Sequence, residues 1–297
     1  VKYRVSHQTI YSYDDDVRNS LGFAHVTPRV LPWQHVASHE VNIDPGASQQ
    51  RQHIDTYGNT ATYFHVTAPH RTLTIAASTS VSVEPPQYAA ESLAAPWEDS
   101  RPLVSPSTPG AWQAADFAMA SPKVQQVAAA SDYAAESLMP GRPIGEAVTD
   151  LMHRIYTDFD YDSTATTVTS TVPDVLEKRA GVCQDFAHLA IACLRSHRVA
   201  ARYVSGYLAT QPPPGKERIV GADASHAWLS VWLPGSDQWL AIDPTNDQWI
   251  ADRHVTVAWG RDYADVTPVK GVIFTQAKKS KLRVSVDVSP REAHMAS

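Results

Sequence analysis

Arg179-Ala180-Gly181-Val182-Cys183-Gln184-Asp185-Phe186-Ala187-His188, running on through apolar residues to Leu194, decides how this chain is read. Ahead of it, Pro173 to Lys178 predicts a short helix: Pro173 sits early enough to need no donated N–H, and Gly181 offers a left-handed stop. A second helix is predicted from about Cys183. Its residues Phe186, Ala187, Leu189, Ala190, Ile191, Cys193 and Leu194 point nearly all round, the pattern of a buried helix. Cys183 then stands at the positive end of that helix, where unpaired N–H groups and the macrodipole favour a thiolate. Cys193, in mid-helix between Ala192 and Leu194, reads as inert core.

Downstream, the hydrophobic period switches to two. Ala201 to Leu208, Ser225 to Leu233 and Gln238 to Ile242 read as strands, and Val284, Val286 and Val288 alternate in a last one. Helices followed by strands predict an α+β unit with an antiparallel sheet packed on the Cys183 helix.

A cysteine nucleophile needs a base, and the base needs a group to orient it. One hairpin supplies both. His226, Trp228, Ser230 and Trp232 alternate with Ala227, Leu229, Val231 and Leu233; Pro234-Gly235-Ser236-Asp237 is turn chemistry; the return strand ends at Asp243-Pro244. If Leu233 pairs with Gln238, Trp228 lies opposite Asp243 and His226 is its diagonal neighbour on the same face. A slip of one residue would put Asp243 on the other face. A lone strand histidine or an aspartate before proline would be unremarkable; the three residues in this order carry the reading.

Upstream of the two helices, Pro143 opens a helix in which Ile144, Val148, Leu151, Ile155 and Phe159 fall at helical spacing, and Ser121-Pro122 has the cap-then-proline start of one running to about Ser137. Residues 87–120, with Pro96, Pro102, Pro106 and Pro109, read as a linker or an irregular arm. Residues 1–86 read as antiparallel β structure, a sandwich or barrel, with strands at Lys2 to Tyr13, Val36 to Ile43, Ala61 to Val66 and Leu73 to Val83. The organisation expected is therefore 1–86, 87–120 and a catalytic unit at 121–297.

The net charge of −6 argues against nucleic acid as a partner. No stretch approaches the length of a membrane span. The two cysteines, both placed on one helix, lie about 15 Å apart, too far for a disulfide, which suits a reducing compartment. With Val1 taken as the start after methionine loss, a cytoplasmic location is expected. Two metal readings fail. Asp158 to Asp162 begins like a calcium loop, but its sixth position is Ser163 and its twelfth Thr169. His35 and His39 lie four apart in a β context, where helical ligand spacing does not apply. No metal or cofactor is expected.

The segments Gly181-Val182-Cys183-Gln184-Asp185-Phe186-Ala187, Ser225-His226-Ala227-Trp228 and Ala241-Ile242-Asp243-Pro244-Thr245-Asn246 resemble, in order, the nucleophile, histidine and acid segments of the transglutaminase-like superfamily of papain-type thiol enzymes. The resemblance covers roughly residues 143 to 250. Pro28-Arg29 and Asp55-Thr56-Tyr57-Gly58-Asn59 more weakly resemble the β domain preceding such cores in bacterial members. It implies a papain-like core, a Cys183–His226–Asp243 triad and a thioester acyl-enzyme. Tyr161 matches a tyrosine often seen before the nucleophile, a candidate oxyanion donor beside the Cys183 N–H. Gln184 and Trp228 are candidates for the substrate cleft, Trp228 with Trp232 and Trp239 reading as core or cleft wall around the histidine, and Lys216 to Ala224 are candidates for the wall. The expected function is hydrolysis of a peptide or isopeptide amide in a peptide or protein substrate. Transfer of the acyl group to an amine is the alternative from the same intermediate, and a non-catalytic binding protein on this fold the more distant one. No calcium loop and only about fifty residues after the acid segment favour water as acceptor.

Overall fold

The computed structural model describes residues 1–167, 169–210, 225–236 and 238–291. The first sheet is laid down by β1 (Lys2–Ala24), β2 (Gln34–Asp44), β3 (Gln49–Ile54), β4 (Thr60–Val66) and β5 (His70–Val83). Alternation along β1 turns Tyr3, Val5, His7 and Thr9 inward. Short helices α1 (Ala90–Ala94) and α2 (Ala111–Ala114), with single 3-10 turns at Trp97–Ser100 and Ala115–Ala118, follow. The Pro-rich stretch is thus no loose arm: Trp97, Ala114 and Phe117 are buried.

Then come α3 (Ala128–Ala135), α4 (Ile144–Asp158), β6 (Asp160–Tyr161), α5 (Val172–Lys178), β7 (Ala180–Gly181) and α6 (Cys183–Ser196). The helix expected from Ser121 begins only at Ala128. Ser121 instead closes a turn onto Val124, and the Lys123 N–H is taken by the Asp262 carboxylate at 2.7 Å. In α4 the apolar stripe is as read: Ile144, Val148, Leu151 and Ile155 are all fully buried.

The second sheet is built from β8 (Ala201–Leu208), β9 (Ser225–Trp232), β10 (Trp239–Asp243), β11 (Gln248–Trp249) and β12 (His254–Gly260), in the order β11-β10-β9-β8-β12. One face, with Ala227, Leu229, Val231 and Tyr203, packs on α6 in the main hydrophobic core. The fold is α+β with an antiparallel sheet on the Cys183 helix. The other face is roofed by the N-terminal part: Gln34 bonds both the N–H and the carbonyl of Thr256, and Asn59 bonds the backbone of Trp259.

The end of the chain departs from expectation. β13 (Val269–Thr275) and β14 (Ser280–Pro290) leave the second sheet and pair antiparallel with β1, Val5 opposite Val288 and Leu21 opposite Val272. They complete a curled seven-stranded antiparallel sheet, so the strand read from Val284 to Val288 belongs to the N-terminal part. Val286 and Val288 join Tyr3, Val5, Val81 and Val83 in the core that also holds α6. Among the described residues, no helix is long and apolar enough to cross a membrane.

Candidate active site

Three local devices set Cys183 in place. Thr171 caps α5, its hydroxyl and N–H both donating to the Asp174 carboxylate at 2.7 and 2.8 Å. The left-handed residue ending α5 is Arg179 (φ 53°), not Gly181, and its guanidinium lies 4.9 Å from the Phe159 ring centre. Gly181 is needed for space: a Cβ there would come within 2.9 Å of the Asp185 side chain. Asp185, in the first turn of α6, reaches back to accept the Val182 N–H at 2.9 Å and the Thr166 hydroxyl at 2.6 Å. Cys183 is the first residue of α6 and half-buried, whereas Cys193 is sealed in the core, where burial pushes its thiol up to about 12.

The hairpin takes the register read from its sequence. Leu233 N–H bonds Gln238 O, and Trp232, Val231, Ser230 and Leu229 face Trp239, Leu240, Ala241 and Ile242. His226 Nε2 accordingly donates to Asp243 Oδ2 at 2.7 Å, and the Cys183 thiol lies near enough to act on the same imidazole. Burial alone would lower the His226 pKa. Asp243, and with it Cys183, outweighs burial and raises the pKa to about 10.

Asp243 is fully buried and saturated with donors. Its Oδ2 accepts from His226, from Asn246 Nδ2 at 2.7 Å and from His254 Nε2 at 3.2 Å, while Oδ1 takes the Thr245 N–H at 3.0 Å. Burial would raise the carboxyl pKa; the two histidines reverse that and hold it well below the usual carboxylate range. His254 is a neutral donor here: its Nδ1 accepts the Ala251 N–H at 3.3 Å, which leaves the proton on Nε2, and burial holds its pKa down. His226, Asp243 and His254 also stand close enough to resemble a metal triad, yet their facing atoms are already hydrogen-bonded to one another.

His254 and Asn246 were not singled out from sequence. The strand bearing His254 was itself not read, although Val255 and Val257 alternate with His254 and Thr256. Once β12 is paired to β8, His254 opposes Leu208 while His226 opposes Gly206, which brings both histidines to one end of one face.

The remaining candidates divide. Tyr161 pairs in register with Gly181, two residues before Cys183, and is 62% exposed; burial of its hydroxyl and the nearby Cys183 raise its pKa. Gln184 is half-buried in the first turn of α6. Trp228 does not line a cleft. It is fully buried, with its ring 5.9 Å from His226 and 5.3 Å from His254, a floor beneath both. Gly206 makes room for it, since a Cβ there would stand 2.3 Å from Trp228 Cη2. Lys216 to Ala224, expected to wall the cleft, lie outside the described residues.

Comparison with known proteins bears on the family and the fold. Residues 3–82 match the bacterial transglutaminase-like N-terminal region, and residues 131–244 match the transglutaminase-like superfamily core. An uncharacterized protein of Mycobacterium tuberculosis is 48% identical over 98% of this chain and 93% of its own length. Another, from Mycobacterium leprae, is 33% identical over 96% of this chain and 98% of its own. Among solved structures, a candidate cysteine protease from Cytophaga hutchinsonii superposes with a TM-score of 0.71 at 18% identity over 97% of both chains, a likeness of fold. By its motifs, its relatives and its fold, the chain belongs to the transglutaminase-like superfamily.

Proposed function

We propose that the protein is a cysteine-dependent hydrolase of peptide or isopeptide amides, acting through a thioester on Cys183. The observation that carries this reading is the position of His226, bonded to the buried Asp243 carboxylate and near Cys183 at the start of α6. The sulfur attacks the amide carbonyl; the imidazolium protonates the departing amine and becomes neutral imidazole. That imidazole then takes a proton from water, which attacks the thioester and releases the acid, leaving the Cys183 thiolate beside the imidazolium. Asp243 holds the ring with its Nε2 proton inward and stabilises its charge. The oxyanion would be met by the Cys183 N–H, an unpaired donor at the helix start, and by the Tyr161 hydroxyl. Gln184 would border the cleft.

Transfer to an amine shares every step up to the thioester. The half-exposed Cys183 favours water as the acceptor at hand, because an amine competes only where a pocket holds it. The test supplies a reactive peptide amide together with a primary amine, and separates free acid from amine adduct by mass spectrometry. Mostly free acid, a thioester trapped on Cys183 and no turnover by Cys183→Ala are expected. Mostly adduct would replace hydrolysis by transfer, and turnover surviving in Cys183→Ala would end the thiol mechanism.

A further inference from the structure

Four residues along β9 from His226, on the same face and about 13 Å away, Ser230 pairs with Arg202 of β8. Arg202 is only 8% exposed. Its guanidinium is stacked between two indoles, 4.3 Å from the Trp239 ring centre and 3.6 Å from that of Trp259, and its Nε donates to Ser230 Oγ at 2.8 Å. Among the described residues, Nη1 and Nη2 have no hydrogen-bond partner, and no carboxylate pairs with the group. Both nitrogens still reach open space. Arg202 lines a cavity of about 450 Å³, together with Trp33, Tyr88, Gln238, Trp239 and Trp259; Glu84 also borders it but is exposed to solvent.

Another buried arginine shows what is missing. Arg195, fully buried, gives its guanidinium to the carbonyls of Phe117, Ala201 and Arg261 and to the Ser121 hydroxyl. Arg202 has one hydroxyl and two ring faces. A buried cation is costly without an anion or several acceptors, and the planar fork of a guanidinium matches a carboxylate edge to edge.

We infer that this cavity is a binding site for a small monocarboxylate with a flat apolar body, its carboxylate on the Nη1/Nη2 edge of Arg202 and its body among the indoles. Burial first, and then the like charge of Arg29, hold the Arg202 pKa well below the usual arginine range, a tension that an anion would relieve. One cation among apolar walls suits a single negative charge and gives a phosphate dianion too few donors. The site stands apart from the thiol chemistry and does not depend on it.

The test titrates the whole protein with benzoate, with neutral benzamide and with inorganic phosphate, by calorimetry and indole fluorescence. Benzoate should saturate, benzamide should bind about tenfold more weakly or worse, and phosphate should not compete. Arg202→Met should weaken benzoate about tenfold or more. Because methionine at this place can unfold the sheet, the unmutated protein provides a second measure: the Arg202 guanidinium nitrogen signals should move with benzoate and stay with benzamide. Alkylating Cys183 should leave benzoate affinity unchanged. Equal binding of benzoate and benzamide, no saturation by benzoate, competition by phosphate, or loss of binding on alkylation would overturn the inference.

Discussion

Replacing Asp243 with asparagine removes a charge from the site with almost no change in volume. In the native protein burial would lower the His226 pKa, but Asp243 and Cys183 raise it from 6.5 to about 10. That rise corresponds to roughly 5 kcal/mol in favour of the imidazolium, an upper bound for Asp243 because Cys183 shares it. With a neutral amide at residue 243, only Cys183 still opposes burial and the ring's pKa falls toward its ordinary value. At about pH 8 an imidazole of ordinary pKa is only about 3% protonated, so the acid that must serve the leaving amine is depleted about 30-fold. Accordingly kcat should fall by about that factor while KM moves little. Nitrogen NMR of His226 across pH reads the cause directly, and a kcat profile on an amide substrate reads the effect. The stability profile should change too. A folded-state pKa above the unfolded one makes the His226 contribution complete below about pH 6.5 and drains it as pH climbs toward about 10. The depressed Asp243 carboxyl contributes above about pH 4 and is lost as pH falls below it. The variant should therefore lose less stability than the native protein between neutral and alkaline pH. A His226 midpoint still near 10 in Asp243→Asn, or an unaltered kcat, would refute the reasoning.

Iodoacetamide at neutral pH should modify Cys183 and spare Cys193, which is sealed and carries a thiol pushed up to about 12; equal labelling of the folded protein would count against the helix-start placement. His254→Phe keeps a ring but strips Asp243 of one donor and leaves the Ala251 N–H unpaired, so urea denaturation should show a loss of about 1–3 kcal/mol. Native stability in that variant would mean the His254 bonds contribute nothing. Gly206→Ala would drive a methyl to 2.3 Å from both Trp228 Cη2 and the Val255 carbonyl. A cost of about 1–3 kcal/mol or more is expected in thermal melts, and an undiminished Tm would show that Trp228 is free to move.

What could be read beforehand follows the reach of the forces concerned. The hairpin from Ser225 to Asp243 was legible because alternation and a four-residue turn fix register within about twenty residues, and register alone brings His226 to Asp243. The buried run after Cys183 was legible for the same local reason. Arg179 was not, because its left-handed turn is held by stacking on Phe159, an aromatic contact with a residue twenty positions away. His254 escaped notice because no motif surrounds it; its role exists only once β12 lies beside β8. The return of residues 269–290 to β1 left no local trace either, since strand pattern says that a segment pairs but not with which partner. Trp228 could be read only as core or cleft wall, because alternation gives the face of a sheet and not what covers it; it is core.

That same return of the chain bears on how the protein is made. β1 leaves the ribosome roughly 270 residues ahead of β14, so one of its edges, from Tyr3 to Tyr13, waits for Ser280–Pro290. At cellular rates of synthesis the wait is on the order of 15 to 50 s, far longer than a hairpin needs to form. β5 can cover the opposite edge early, but the waiting edge is a long, alternating, unpaired strand, the kind of surface that recruits other chains. Nascent chains should therefore depend on a holding factor, or on dilution, until residue 290 is out. Circular permutation that places β14 directly ahead of β1 would remove the wait and should raise the yield of soluble protein.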